Sequence, residues 1–421
     1  MAGEGGVMPV NQTCPENEEN PANKARWVKV KLGDICSYDL GKTPKRDNPA
    51  YWKKEAGSLP WVKIADMSEH SVITETSEKI SELAFREVFR GQIVPAGTLL
   101  MSFKLTIGRV AYLGIPACHN EAIISIYPKE EVDKYYLGYF LSQVNYSGIF
   151  DRAVKGNTLN KKKIARIPVL LPPLPEQQRI STLLGSIQKA IDLERRCEAS
   201  LTTIKRAALH VVFAPANKAG WEKVKLGDIC SYDLGKTPER DNPAYWKKEE
   251  GSVPWVKIAD MSEHSVITET SEKISELAFH EVFRGRIVPA GTLLMSFKLT
   301  IGRIAYLGIP ACHNEAIISI YPKEGVDKYY LGYFLSQVNY SGIFDRAVKG
   351  NTLNKGKIDR IPILLPPLHE QQEIVDFLTT LDQKLDIHRR KRACLENIFR
   401  LFLYNLTRGT WRLTEFPEGC F

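Results

Sequence analysis

No apolar run in this chain approaches the roughly 18 residues that a membrane span requires. Residues 1–20 lack the basic-then-apolar order of a secretory signal. The expectation is a cytosolic protein without a membrane partner, with residues 1–20, rich in Gly, Asn, Glu and Pro, as a disordered tail. Paired cysteine motifs are also missing. Of eight cysteines, Cys36 and Cys118 recur as Cys230 and Cys312, Cys14, Cys197, Cys394 and Cys420 are scattered, and no CxxC occurs. That excludes a disulfide scaffold or a zinc spacing and predicts buried thiols in a reducing compartment. Catalytic signatures are absent too: there is no GxSxG, HExxH or paired acidic motif. Gly41-Lys42-Thr43 resembles the end of a phosphate loop, but the glycine needed five residues earlier is Cys36, and in a second occurrence Cys230. His119-Asn120-Glu121 has no partner at metal-ligand spacing and reads as a core or turn element. The sequence therefore predicts no catalytic residues, no metal site and no bound cofactor.

What the chain does have is itself, twice. Residues 21–178 recur at 215–372, shifted by 194, with 145 identities in 158 positions. Agreement ends after Gln177-Gln178 and Gln371-Gln372. A chain of 421 residues exceeds a comfortable single core, and the repeat divides it into units that each bury their own interior. The predicted order is a tail at 1–20, a globular domain at 21–175, a helix at 176–213, a second domain at 214–369, a second helix at 370–407 and a tail at 408–421.

Within one unit, strands are expected at 28–36, 61–65, 92–103 with a break at Pro95-Ala96-Gly97, 108–113 and 122–127. Helical spacing covers 131–145, and a short helix falls within 77–89. Each domain is thus mixed α/β. The tract Ile167 to Pro175, IPVLLPPLP, must be extended, since proline donates no amide hydrogen and restricts the residue before it.

Beyond that tract, apolar residues step by three and four from Ile180 to Val211 and again from Ile374 to Leu406, the seam of a coiled coil between two long helices. Near the middle of each seam the step fails, at Glu194 and at the equivalent His388. In an antiparallel, pseudo-two-fold pair those positions meet, which leaves two readings: a Glu194–His388 contact that fixes the register, or two solvated side chains.

The net charge of +8 favours a polyanionic partner. Basic residues interleave with aromatics and turn residues in three clusters per domain: Lys42 to Lys63, Ser102 to Arg109 with its polar residues expected at a loop tip, and Arg152 to Lys161. Lysine and arginine supply phosphate contacts, while arginine and amide side chains discriminate bases. Two near-identical copies that bind the same kind of ligand should agree where they touch it. Lys45, Arg86, Lys162 and Ala165 become Glu239, His280, Gly356 and Asp359 and are poor candidates. The candidates that survive are Lys42, Thr43, Arg46, Lys104, Thr106, Arg109, Lys155, Asn157, Thr158 and Asn160, with their equivalents Lys236, Thr237, Arg240, Lys298, Thr300, Arg303, Lys349, Asn351, Thr352 and Asn354.

In combination, these residues resemble the specificity subunits of type I restriction and modification systems over residues 27–407. The marks are the twice-repeated order of domain, IPxLLPPLxEQQ tract and long helix, with Gly41-Lys42-Thr43-Pro44, Pro60-Trp61-Val62 and Thr106-Ile107-Gly108-Arg109 and their second copies. The resemblance implies target recognition domains that each read half of a bipartite site in double-stranded DNA. It also implies an antiparallel helical spacer that docks two modification (methyltransferase) subunits. Adenine methylation with S-adenosylmethionine, and ATP- and Mg-dependent cleavage by restriction/translocase subunits, would belong to those partners. Near-identity of the two domains departs from the family pattern and predicts inverted-repeat half-sites around an unread spacer. The 31-residue step from Ile180 to Val211 spans about 47 Å at roughly 1.5 Å per residue, against about 34 Å for one DNA turn. A stand-alone DNA-binding regulator and a duplicated protein-binding scaffold are the alternatives.

Overall fold

The computed structural model describes residues 27–52, 55–146, 151–153, 156–158, 160–214, 220–246, 250–340, 345–347, 350–352 and 354–413, with backbone alone for the short strands at 151–158 and 345–352. The expected tail at 1–20, and Cys14 and Cys420, lie outside these residues.

The first domain runs β1 (Val28–Lys31), α1 (Leu32–Ile35), β2 (Cys36–Leu40), β3 (Leu59–Val62), β4 (Ser71–Ile73), β5 (Glu78–Ile80), α2 (Glu82–Glu87), β6 (Leu99–Ser102), β7 (Val110–Leu113), β8 (Cys118–His119), β9 (Ile123–Pro128), α3 (Lys134–Ser142), β10 (Asp151–Ala153), β11 (Gly156–Thr158), α4 (Lys161–Ala165) and β12 (Pro168–Leu171). Five strands form one sheet in the order β2-β9-β6-β7-β4; β5-β3-β8 form a second, β1 pairs with β12, and β10 pairs with β11. The register of the large sheet is Leu40↔Ile124, Leu99↔Ile126, Leu99↔Tyr112 and, for the parallel edge, Ser71↔Ala111. Mixed α/β architecture is as expected.

The strand β6 reads Leu-Leu-Met-Ser without polar alternation because both of its faces are covered. Leu99 and Met101 pack with Leu137 and Leu141 of α3 and Leu32 of α1. The side chain between them, Leu100, turns to the other face and meets Val62, Ile73 and Ala111. Three sequence expectations are refined. The stretch at 28–36 is interrupted by the one-turn helix α1; 77–89 splits into β5 and α2, whose Ser81 cap accepts from Ala84 N; and before Pro95 only a bridge, Val94↔Ala117, takes the place of a strand. The repeated cysteines 36, 118, 230 and 312 are buried, and burial pushes each thiol up to about 12. The expectation of burial fails for Cys394, which is exposed on a long helix, and Cys197 is only partly covered.

Long helices follow each domain: α5 (Leu174–Val212) and, after the second domain with its α6 (Leu226–Ile229), α7 (Glu276–Glu281), α8 (Lys328–Gln337) and α9 (Lys355–Asp359), the helix α10 (Leu368–Arg408). The extended tract ends sooner than expected, since α5 already includes Leu174 and Pro175; Pro175 is tolerated because the first helical turn needs no amide donor. The chain divides into two compact units, residues 1–193 with 392–421, and residues 194–391. In the first, Ile180, Leu184 and Ile191 at the start of α5 pack with Phe399, Leu403 and Leu406 at the end of α10, and α3 adds Tyr136 and Tyr139. In the second, Leu209 from the end of α5 packs with Leu378 from the start of α10 and Tyr333 of α8. The helices therefore run antiparallel. The Glu194–His388 contact is present in the second unit, Oε2 to Nδ1 at 2.5 Å, and Lys391 Nζ adds a second ion pair to Oε1 at 2.6 Å. His388 and Lys391 together hold the Glu194 carboxyl below its ordinary range.

A candidate nucleic-acid interface at one end of the sheet

Sheet topology gathers the candidate loops. The C-terminal ends of β2 and β6 and the N-terminal ends of β9, β7 and β4 lie at one end of the five-stranded sheet, since β9 runs antiparallel to β2 and β6, β7 antiparallel to β6, and β4 parallel to β7. That end therefore carries Gly41-Lys42, the turn between Ser102 and Arg109, and the segment 119–122. Backbone bonds tie them together: Gly41 N donates to Ile123 O, Lys42 N to His119 O and Phe103 N to Ala122 O. A β-carbon on Gly41 would lie 2.1 Å from Asn120 O, so glycine is required here for close approach of two backbones. His119 is buried with Nδ1 against Asn120 O, and burial lowers its pKa to about 4.

The stretch after Lys42 is held by aromatic side chains. Trp61 Nε1 donates to Lys42 O and Trp52 Nε1 to Lys45 O, both at 3.0 Å. The Arg46 guanidinium stacks 3.9 Å over Trp52 and 4.9 Å over Trp61 and binds Glu78 at 2.5 Å, while Lys63 takes the other carboxylate oxygen at 2.7 Å. Lys63 and then Arg46 hold Glu78 below the usual carboxylate range. Lys42 Nζ reaches Val88 O at 2.9 Å, Thr43 is half-buried, and Lys53 and Lys54 lie outside the described residues. The same set recurs around Lys236, Thr237 and Arg240, with Trp246, Trp255, Glu272 and Lys257.

The turn from Ser102 to Arg109 differs from expectation. Buried Ser102 Oγ accepts from Arg109 N and donates to Thr106 O, and Gly108 N donates to Ser102 O. Arg109 Nη1 donates to Ile64 O and Met67 O at 3.2 and 3.4 Å, so at least this arm of the guanidinium braces the turn from below. Gly108, at φ 88°, presses on Tyr146, where a β-carbon would lie 2.5 Å from the ring. The expected polar tip instead displays Leu105, flanked by Lys104, whose ammonium lies 5.5 Å over the Phe103 ring, and exposed Thr106. Leu105 has φ 62°, a left-handed conformation that costs a leucine about 1–2 kcal/mol. Arg303, Lys298, Thr300 and Leu299 repeat this arrangement. Sequence patterning missed Leu105 because a single apolar residue inside a basic stretch has no period to reveal it.

The third cluster is only partly placed. Lys155 and Lys349 lie outside the described residues; Asn157, Thr158, Asn351 and Thr352 sit on hairpin strands known by backbone alone. Asn160 and Asn354 cap α4 and α9, accepting from Lys163 N and Lys357 N. Tyr38 OH donates to Lys161 O and ties the start of that helix to β2. Among the described residues no group of three His, Cys, Asp or Glu side chains could hold a metal ion, and no helix is long and apolar enough to cross a membrane.

Comparison with known proteins matches residues 24–203 and 218–397 to the type I restriction modification DNA specificity domain. The chain belongs to that family. Among curated relatives, the Methanocaldococcus jannaschii protein assigned as the type I restriction enzyme MjaX specificity subunit is 25% identical over 92% of this chain and 94% of its own. The HindI specificity subunit of Haemophilus influenzae is 27% identical over 45% of this chain and 41% of its own. The fold of this chain is shared by the specificity subunit of M. genitalium, with a TM-score of 0.60 at 13% identity over 92% of this chain and 98% of that one. Membership decides among the three readings drawn from sequence: the specificity subunit recognises DNA sequence, is not itself catalytic, and works in assembly with other subunits of a type I system.

Proposed function

We propose that this specificity subunit reads a bipartite target made of two inverted-repeat half-sites around an unread spacer. In this reading each domain applies the sheet end bearing Lys42, Lys104 and Thr106, or Lys236, Lys298 and Thr300, to one half-site. The observation that carries the proposal is the sameness of those loops: their sequences, bracing hydrogen bonds and left-handed residues agree between the copies. Antiparallel pairing of α5 with α10 supports inverted rather than direct repetition, because an antiparallel pair exchanges the roles of its two helices under a two-fold rotation. Lys42 and Lys104 would contact phosphate, and the hairpin residues Asn157 and Thr158 would approach base edges.

The partners in this proposal are two modification subunits that dock on the helices and methylate adenine with S-adenosylmethionine. Restriction/translocase subunits would bring the ATP- and Mg-dependent cleavage. The test is to map methylated adenine across the genome of cells expressing the chain with its modification subunit, against cells lacking the chain. A split inverted-repeat motif dependent on the chain is expected; a direct or asymmetric motif would overturn the inverted arrangement.

A further inference from the structure

We propose that Leu105 and Leu299 are apolar wedges that enter a base step in each half-site and kink the duplex there. The inference rests on the reading of this sheet end as the DNA face.

Isolated exposed leucines are ordinary on protein surfaces, and three observations set this pair apart. Leu105 is 66% exposed and Leu299 64%, each the most exposed large apolar side chain of its domain among the described residues. Both adopt left-handed backbone, φ 62° and 64°, which glycine or asparagine would occupy with less strain. Each also stands on a stem fixed from three directions. Ser102 clamps the two arms of the turn, Arg109 ties it to the carbonyls of Ile64 and Met67, and Gly108 seats it on Tyr146. A stem ordered before binding spares the entropy of ordering it on the DNA. The chemistry beside the tip suits the same ligand: Lys104 would meet the phosphate rail, and the aliphatic side chain beside that cation matches the apolar face of an unstacked base. Leucine is among the side chains that DNA-bending proteins insert between base steps.

The experiment uses the full chain assembled with its modification subunit, on a duplex carrying the motif returned by methylation mapping and labelled at both ends for energy transfer. The variant is Leu105→Asn with Leu299→Asn, because asparagine tolerates the left-handed backbone and keeps the turn. Thermal unfolding should be unchanged or slightly later. The wild-type complex is expected to bend the duplex; the variant should bind about a hundredfold more weakly, from about tenfold for each of the two buried leucines lost, and leave bound DNA straight. The double substitution Lys42→Ala with Lys236→Ala should weaken binding without removing the bend at saturation. A wild-type complex that does not bend the DNA, or a leucine variant that bends it equally, overturns the wedge. If replacing half-site thymines by uracil weakens the wild type and leaves the leucine variant indifferent, the leucine reads a methyl group instead, and the wedge is overturned. If neither the lysine nor the leucine variant alters DNA binding, the DNA face itself is misassigned.

Discussion

Replacing Lys104 and Lys298 by alanine should flatten the salt dependence of DNA binding by an amount the structure sets. Each lysine stands beside its turn with the ammonium over a phenylalanine ring, 5.5 and 5.4 Å from the centroid, at the sheet end where the loops gather. If each contacts one phosphate, binding releases one counterion per lysine, and the slope of log K against log salt changes by about 0.9 per contact, or about 1.8 for the pair. Between about 50 and 200 mM salt the wild type should therefore lose about twelvefold more affinity than the variant. Fluorescence anisotropy of the assembled complex on labelled duplex measures both. Binding to motif and to scrambled duplex should weaken alike, because phosphates carry no sequence. Loss of cation–π contact at an exposed site costs the fold no more than about 1 kcal/mol. An unchanged slope, or weakening confined to the motif duplex, would refute a phosphate role for these lysines.

Acid should unfold the domains through their histidines. His70, His119 and His313 are buried, the His264 side chain is nearly covered, and burial lowers each pKa to about 4, against about 6.5 in the unfolded chain. Between those values the unfolded state binds the extra proton, so stability is greatest above about pH 6.5 and falls as pH drops toward about 4. Two such groups should cost each domain about 4 kcal/mol at pH 5, read as a falling urea midpoint; a midpoint flat from pH 7 to 5 would contradict the burial argument. Glu176→Gln should destabilise the first unit by about 2 kcal/mol, less than a fully buried pair would lose. Glu176 takes two hydrogen bonds from Arg412, at 2.7 and 2.8 Å, and one from Trp27 at 2.9 Å, and Arg412 keeps a quarter of its side chain in water. A melting curve identical to wild type would show that the pair contributes nothing. Gly41→Ala with Gly235→Ala should separate the Lys42 loop from the 119–120 segment and cost each domain about 1–3 kcal/mol; unaltered melting and unaltered DNA binding would show that the loop has room to spare.

Legibility in the sequence followed the range of the interaction. The duplication, the long helices and the central strands could be read because repeats and three-to-four stepping are local patterns, and Glu194 met His388 because both broke equivalent seams. Lys391, which adds the second ion pair, could not be read, since it lies about one turn along the helix from His388 with its side chain mostly exposed, where a charge is ordinary. The one-turn helix at Leu32–Ile35 is too short to establish a period. Arg46 and Arg109 read as free cations because their partners, Glu78, Ile64 and Met67, are distant in sequence and brought near only by the fold. Leu105 was hidden for the opposite reason: nothing near it in sequence marks the left-handed turn that lifts it out.

The two units show which part of the molecule tolerates change. In the first, Tyr139 and His70 face Phe399 of α10, with ring centroids 6.0 and 5.9 Å away, and the His70 ring nitrogens make no hydrogen bond among the described residues. In the second, the position equivalent to Phe399 is Lys205. It binds Asp382, whose other oxygen accepts from Tyr333 OH, and His264 contacts Ser336 at 3.2 Å. One domain surface is thus seated on an aromatic side chain in one unit and on an ion pair in the other. The turn at Ser102–Arg109 keeps the same hydrogen bonds and nearly the same φ above both supports. A turn that holds its geometry over two different foundations is positioned by its own domain core, through Ser102, Gly108 and the buried strand beneath them. In the proposed reading the helices are then free to diverge toward the subunits that dock on them, and the two half-sites would stay the same as long as the domains do.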